Sequence, residues 1–112
     1  MKRKKIIILG GGQTAAYAAK EIRSIDITSD LTIISDEKFL PYERPPLSKD
    51  YILDKVNFDN LLFFSKTFYE ENKINFIGNT QIKKADFINK KISDSNKDFY
   101  YDKLLIATGS SN

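Results

Sequence analysis

The stretch KIIILGGGQTAAYAAKEIRSI, Lys5–Ile25, decides the fold. It begins with an uninterrupted, mostly β-branched run, which is typical of a strand covered on both faces in a parallel sheet. A glycine turn follows, and from Gln13 to Arg23 the chain is rich in alanine, with small and apolar side chains at helical spacing. A second aliphatic run, LTIIS at Leu31–Ser35, completes a strand–helix–strand pattern within about thirty residues. The pattern predicts a βαβ unit with a right-handed crossover.

The glycine turn matches the dinucleotide fingerprint G-x-G-x-x-G/A at Gly10, Gly12 and Ala15. Gly10 makes the tight turn, Gly12 lets the backbone approach a pyrophosphate, and Ala15 lets the helix pack closely on the strand. The free N–H groups and the dipole of the helix start then attract phosphates. The motif is weak by itself, but it lies between a strand and a helix, where it must lie to bind a dinucleotide. A glycine turn without a ligand is the alternative.

The fingerprint also requires an acidic residue about twenty residues further on, at the end of the second strand. Asp36 stands at that position, directly after LTIIS, and Glu37 is beside it. A carboxylate there accepts hydrogen bonds from the ribose hydroxyls of an adenosine and repels a 2′-phosphate. The alternative is that the two acids only begin a solvated loop.

All three prolines lie in FLPYERPPLSKDYI, Phe39–Ile52, and the proline pair is flanked by Arg44 and Lys49. Proline fixes its own φ and pushes the preceding residue out of the helical region, so this loop is stiff. It is either a rigid surface connection or a loop that holds its two cations against a fixed anion.

The rest of the chain continues the alternation of helices and strands. LSKDYIL indicates a short helix that Ser48 could cap, and LLFF, Leu61–Phe64, is either a strand or a buried turn. SKTFYEENK indicates a helix capped by Ser65, and INFI, Ile74–Ile77, a third parallel strand. TQIKKADFI, KKISD and KDFYYD predict an antiparallel meander, and KLLIAT a last buried strand beside the first. The fold class is therefore α/β, a Rossmann-like half with a parallel sheet plus a small antiparallel β-meander.

The composition limits the chemistry that the chain can perform. With no cysteine and no histidine among 112 residues, it lacks disulfides, thiolate metal sites and the commonest general base and metal ligand. Any redox chemistry must therefore be carried by a bound cofactor, and we expect no metal site. The net charge of +3 comes from lysines interleaved with acids, which predicts no nucleic-acid partner. The apolar run IIIL is too short for a signal peptide or a membrane span, so we expect a cytoplasmic protein without a membrane partner.

GGGQTAAYAA, SDEKFLPYERPPLSK and LLIATGS, in this order, resemble the N-terminal part of the flavin-dependent ferredoxin reductases. These enzymes serve aromatic-ring dioxygenases and cytochrome P450 systems within the pyridine nucleotide-disulfide oxidoreductase superfamily, and apoptosis-inducing factor is similar. The resemblance runs from Lys5 to Gly109, and RPPLSK is its most specific piece. It implies that FAD is the cofactor.

The resemblance also implies which residues hold FAD. Its pyrophosphate would be held by four residues of the glycine turn and the helix start, Gly10, Gly12, Thr14 and Ala15. Asp36 would bind the adenosine ribose, and Glu37 is a second candidate for that role.

Further residues would meet other parts of the cofactor. Arg44 would lie along the dinucleotide, and Lys49 would reach the flavin side of the cofactor. There the charge of Lys49 would tune the electronic properties of the flavin, and Lys49 would not be a catalytic residue. The backbone of Ile82 would meet the adenine. An ATG turn would close over the cofactor near the phosphates, formed by Ala107, Thr108 and Gly109.

The resemblance implies that residues 1–112 are only the N-terminal part of an FAD-binding domain, since the family's NAD(P)H-binding and C-terminal interface domains are absent from this sequence. The full enzyme would pass a hydride from NAD(P)H to FAD and then single electrons to a ferredoxin-type iron–sulfur partner. We expect this chain alone to be inactive. A non-catalytic nucleotide-binding module and an NAD-binding dehydrogenase fragment are the alternatives, and RPPLSK argues against the latter.

Overall fold

A computed structural model describes residues 3–42 and 62–107 of the chain. The elements within these ranges are β1 (Lys5–Leu9), α1 (Gln13–Ile25), β2 (Asp30–Ile34), α2 (Lys66–Glu71), β3 (Ile74–Ile77), β4 (Lys84–Asp86), β5 (Lys91–Ser93), β6 (Asp98–Tyr100) and β7 (Lys103–Ile106). The predicted helix that Ser48 could cap lies outside the described residues.

The larger sheet contains four strands in the order β3-β2-β1-β7, and each neighbouring pair is parallel. The first strand of the chain thus lies inside the sheet, with the last strand at its side. The predicted βαβ unit and the predicted place of the last strand are both confirmed.

Helices cover one face of this sheet. That face carries the buried side chains Ile6, Ile8, Leu31, Ile33 and Ile74. Against them pack Ala15 and Ala19 of α1 and Tyr69 of α2. The alanine-rich composition of α1 therefore has a packing reason, because small side chains let the helix approach the strands closely. Ser65 caps α2 as expected, since its hydroxyl oxygen accepts the backbone N–H of Phe68 at 3.1 Å.

The antiparallel meander covers the other face. Its strands have the order β4-β5-β6, and Ile92 at the centre of β5 is fully buried. Ile92 and Tyr101 form a second apolar cluster with Ile7 and Ile34, which alternate with the helix-facing residues along β1 and β2. Strands β1 and β2 are therefore covered on both sides, as their uninterrupted apolar runs predict.

The structure corrects the predicted limits of several elements, among them the second strand and the first helix. The second strand runs from Asp30 to Ile34, one residue earlier than predicted, since the N–H of Asp30 already donates to the Lys4 carbonyl oxygen at 2.8 Å. Helix α1 continues beyond Arg23 to Ile25. Within LLFF, Leu62 forms an isolated antiparallel bridge with Tyr42, and the chain bends after it.

The last strand is less buried than its sequence predicts. Leu105 is 41% exposed and Ile106 57% exposed. β7 lies at an edge of the sheet, and α1 packs on β1 and β2 instead. The expectation of a buried strand is wrong for the described residues, because apolar composition does not reveal which strand lies at the edge.

Arg23 joins the end of α1 to the turn between α2 and β3. Its side chain is buried and donates to three carbonyl oxygens, those of Asn72 at 2.6 Å, Asp26 at 2.9 Å and Lys73 at 3.0 Å. Carbonyl groups near a helix C-terminus favour a cation.

Neither of the described helices is long and apolar enough to cross a membrane.

Candidate dinucleotide-binding site

The register of the parallel sheet brings the ends of its strands into one row. Leu9, the last residue of β1, pairs with Ile34 of β2 and with Ile106 of β7. Ile34 in turn pairs with Ile77, the last residue of β3. The chain segments that follow all four strands therefore leave from the same edge. Ligands of open α/β sheets bind in the crevice at this carboxyl edge, where the strand order reverses, and here the reversal falls at β1.

The glycine turn has the conformation that its fingerprint requires. Gly10 has φ 139°, a region that L side chains rarely adopt, and its N–H donates to the carbonyl oxygen of Ile34 at 2.8 Å. Any other residue at this position would strain the backbone. Gly10 thereby ties the turn to the end of the second strand.

Gly12 leaves the start of α1 open. It is the N-cap residue, and no side chain caps the helix. A methyl group added at Gly12 would meet no atom of the described residues within 4 Å, so none of those residues obstructs the approach of a ligand to this backbone. The first intrahelical bond runs from the Ala16 N–H to the Gly12 carbonyl oxygen at 3.1 Å, and the N–H groups before it have no partner within the helix. This end of α1 suits an anion.

The two other predicted residues of this region point in opposite directions. Thr14 is exposed in the first turn of α1, whereas Ala15 is fully buried against the sheet. Ala15 therefore allows close packing of helix and strand, while Thr14 stays accessible to a ligand. No acidic side chain in the first turn opposes a phosphate.

Asp36 and Glu37 follow β2 at the same edge, and their side chains have different surroundings. Asp36 is exposed. The Glu37 carboxylate accepts a hydrogen bond from the Tyr42 hydroxyl at 2.7 Å. Asp36 is thus the better placed of the two to meet a ribose, and Glu37 is tied to the start of the proline loop. Both roles stay predictions.

The turn after β3 supports the segment that carries these acids. The N–H of Asn79 donates to the Glu37 carbonyl oxygen at 3.1 Å, and the N–H of Thr80 to that of Ser35 at 2.9 Å. A methyl group at Gly78 would lie 2.7 Å from the Glu37 carbonyl oxygen and 3.0 Å from the Lys38 Cα. Sequence reasoning missed Gly78, although an isolated glycine directly after a strand is a signal for close backbone approach.

Ile82 and Ala107 lie on either side of this edge. The Ile82 side chain packs against the second apolar cluster, and among the described residues its backbone N–H and carbonyl have no hydrogen-bond partner. The contact of that backbone with an adenine stays a prediction. Ala107 is buried, and its N–H donates to the Leu9 carbonyl oxygen at 2.8 Å, which places it beside the glycine turn. Thr108 and Gly109 lie outside the described residues.

Arg44 and Lys49 also lie outside the described residues, but the chain is described up to Tyr42 and again from Leu62. Tyr42 bridges Leu62, and the N–H of Phe63 donates to the carbonyl oxygen of the buried Pro41 at 3.2 Å. The returning chain then contacts α1, since the ring of Tyr17 meets that of Phe64 edge-on with centroids 5.2 Å apart. The described chain before residue 43 and after residue 61 is therefore held together near the acidic residues.

The residues that the structure describes fit a dinucleotide better than a metal ion. They contain an open helix start, a glycine backbone with empty space in front of it and an exposed carboxylate, all at one sheet edge. Within the described ranges, no group of three or more His, Cys, Asp or Glu side chains could hold a metal.

Comparisons with known proteins place the chain in a family. The family model described as "Pyridine nucleotide-disulphide oxidoreductase" matches residues 4–112. A probable ferredoxin reductase, CtmF of Castellaniella defragrans, is 33% identical over 108 residues, which cover 96% of this chain and 26% of that protein. Monodehydroascorbate reductase 4 of Oryza sativa subsp. japonica is 42% identical over 118 residues, which cover 94% of this chain and 27% of that protein.

Solved structures of similar fold include the NADH:rubredoxin oxidoreductase from Clostridium acetobutylicum. It is 34% identical, with a TM-score of 0.79, over 99% of this chain and 29% of that one. The chain thus spans less than a third of the length of these relatives.

Proposed function

The chain belongs to the pyridine nucleotide-disulphide oxidoreductase family, and from this premise we propose that it is the N-terminal, FAD-binding part of a longer flavoprotein. That protein passes electrons from NAD(P)H through FAD to an iron–sulfur protein of the ferredoxin type. Enzymes of this family are FAD-dependent and use NAD(P)H. The observation that carries the proposal is the register of four strand ends, which puts the uncapped start of α1 and the exposed Asp36 at one edge.

In this proposal the adenosine half of FAD lies along the carboxyl edge. The N–H groups at the start of α1 donate to the pyrophosphate, which can approach closely because Gly12 has no side chain. The carboxylate of Asp36 accepts hydrogen bonds from the ribose hydroxyls, and the backbone of Ile82 meets the adenine. The ATG turn that Ala107 begins closes the site near the phosphates.

The residues of this chain bind and orient the cofactor and tune its charge. Bound FAD itself supplies the redox chemistry, as it can accept a hydride and give up single electrons. The chain has no histidine or cysteine to add an acid–base or thiol step. Lys49, if it reaches the flavin, favours the anionic reduced state, since opposite charges attract strongly in a site shielded from water.

The names of relatives support the iron–sulfur partner. CtmF is a probable ferredoxin reductase, and the relative from Clostridium acetobutylicum is an NADH-rubredoxin oxidoreductase that is 37% identical over 111 residues. Each of these names includes that of an electron-carrier protein, ferredoxin or rubredoxin.

A second candidate acceptor is a small organic radical. The rice relative at 42% identity is a monodehydroascorbate reductase, and its identity exceeds that of the ferredoxin reductase at 33%. In this candidate the FAD site and the use of NAD(P)H are the same, and only the acceptor differs.

The test begins with the intact polypeptide that contains residues 1–112. We expect the purified protein to release about one FAD per chain on acid denaturation, identified by chromatography and mass, and to reduce a ferredoxin-type protein with NADH or NADPH. Reduction of monodehydroascorbate alone would support the second acceptor. Residues 1–112 expressed alone should oxidise no NAD(P)H.

Two outcomes would contradict the proposal. Bound NAD without flavin would favour the dehydrogenase alternative. An intact protein that neither retains nor takes up FAD, yet binds another nucleotide without turnover, would favour the non-catalytic module.

A further inference from the structure

Ser35 lies between the glycine turn and the segment that carries the acids. It directly follows β2, and only 2% of its surface is exposed. Its hydroxyl oxygen accepts the backbone N–H of Glu37 at 3.1 Å. On its other side it touches the glycine turn, because a methyl group at Gly11 would overlap the Ser35 Oγ and lie 3.0 Å from its Cβ. One buried side chain therefore contacts both halves of the candidate site.

The backbone around Asp36 is held on both sides. The N–H of Ser35 donates to the Ile77 carbonyl oxygen at 2.9 Å, and its carbonyl oxygen accepts the Thr80 N–H at 2.9 Å. Glu37 is fixed by its N–H to Ser35 and by its carbonyl oxygen to Asn79. Asp36, between them, has little freedom to move relative to the glycine turn.

We propose that Ser35 is a positioning residue that sets the separation between the pyrophosphate site at Gly12 and the ribose carboxylate of Asp36. This inference rests on the proposed function and names what fixes the geometry of that site. Ser35 itself touches no ligand. It acts through the Glu37 N–H on one side and through van der Waals contact with Gly11 on the other.

The physical consequence concerns ligands that span both positions. A ligand held at two points gains affinity from a fixed separation of those points, because the second contact forms without further ordering of the protein. When the separation is no longer fixed, such a ligand loses affinity, whereas a ligand that meets only one point loses little. FAD and ADP span both points, and adenosine meets only the ribose point.

The first test is Ser35→Ala in the intact protein freed of flavin. The variant keeps room for Gly11 but leaves the Glu37 N–H without its acceptor. We expect the affinity for FAD and for ADP to fall about three- to tenfold, the loss of one ordinary hydrogen bond. Adenosine, measured by competition, should bind with unchanged affinity. An equal loss for FAD and adenosine, or no loss for either, would overturn the inference.

The second test uses the contact with Gly11 and does not depend on how well Ser35→Ala folds. Gly11→Ala places a methyl group on the Ser35 hydroxyl and should weaken FAD binding. Adding Ser35→Gly in the same chain removes the overlapping side chain and should restore part of the lost FAD affinity. Gly12→Ala is the matched control, since its methyl group meets no atom of the described residues within 4 Å and points to the space proposed for the pyrophosphate. Ser35→Gly should not rescue Gly12→Ala.

The outcomes separate this inference from the function on which it rests. If the losses of FAD affinity caused by Gly11→Ala and Ser35→Gly simply add in the double variant, the role of Ser35 is wrong. The proposed FAD-binding function would still stand in that case. Failure of the wild-type protein to bind FAD or ADP would contradict the proposed function instead.

Discussion

The two neighbouring acids of the candidate site have different surroundings. The sequence pattern favours Asp36 over Glu37 for the ribose, and in the structure the Tyr42 hydroxyl donates to Glu37 at 2.7 Å whereas Asp36 is exposed. The pattern could predict that an acid stands at this position, because the fingerprint fixes its distance along the chain. It could not predict which of the two acids Tyr42 would engage.

Removal of the Asp36 carboxylate should weaken FAD binding. A hydrogen bond to a charged group contributes about 1.5–3 kcal/mol, so Asp36→Ala should lower the affinity for FAD roughly ten- to a hundredfold. The measurement is a titration of the flavin-free intact protein with FAD. Glu37→Gln is the control and should have a smaller effect. The reverse order, with Asp36→Ala unchanged and Glu37→Gln impaired, would assign the ribose to Glu37.

The close contacts between segments that follow different strands could not be predicted from single residues. The sequence predicts Gly10, Gly12 and Ala15 because their spacing is regular, and the structure gives each the expected surroundings. Ser35 and Gly78 have no such spacing. Their importance comes from contacts between segments that follow different strands, and only the register of the sheet brings those segments together.

At the element scale, a hydrogen-bonded carboxylate holds the turn from α1 to β2. Asp26 accepts the Ser29 hydroxyl and the N–H groups of Ser29 and Thr28, both at 3.0 Å. The Ser29 hydroxyl is the main cause, and together these donors hold the pKa of Asp26 well below its ordinary value of 3.8. A carboxyl whose pKa is lowered on folding stabilises the fold above its ordinary pKa, and this stabilisation is lost as pH falls below that value.

Asp26→Asn should therefore reduce the loss of stability in acid. The amide cannot titrate, so we expect the difference in thermal midpoint between pH 7 and pH 3 to be smaller in the variant than in the wild type. At pH 7 the variant should be the less stable of the two, because the charged acceptor is gone. If the thermal midpoints of the two proteins fell by the same amount between pH 7 and pH 3, Asp26 would not contribute to the pH dependence of stability.

The kinds of element were more predictable than their positions in the sheet. Apolar runs correctly predicted β1 and β3, alternating segments correctly predicted the meander, and Ser65 correctly marked the start of α2. The exposure of Leu105 and Ile106 was not predictable, since an apolar run is the same for a central strand and for an edge strand. An apolar edge strand is an aggregation hazard.

At the scale of the whole molecule, the chain is a member of a protein family and matches only part of the length of its relatives. It spans 26% to 29% of the relatives reported above, and its match to the family covers residues 4–112. The family could be inferred from short motifs, because RPPLSK and the ATG turn are specific. The electron acceptor could not, since ferredoxin reductases and monodehydroascorbate reductases share this part of the chain at 33% and 42% identity.

The most direct test of the central claim, that the carboxyl edge binds FAD at the glycine turn, is a titration of the flavin-free intact protein and its Gly12→Val variant with FAD. Because no atom of the described residues lies within 4 Å of a methyl group at Gly12, the ligand-free variant should fold, with a thermal midpoint slightly below that of the wild type because Val is a poorer N-cap than Gly. Its side chain would nevertheless occupy the space of the pyrophosphate, so we predict a loss of affinity of about a hundredfold or more. FAD binding by the folded variant with wild-type affinity would contradict the account.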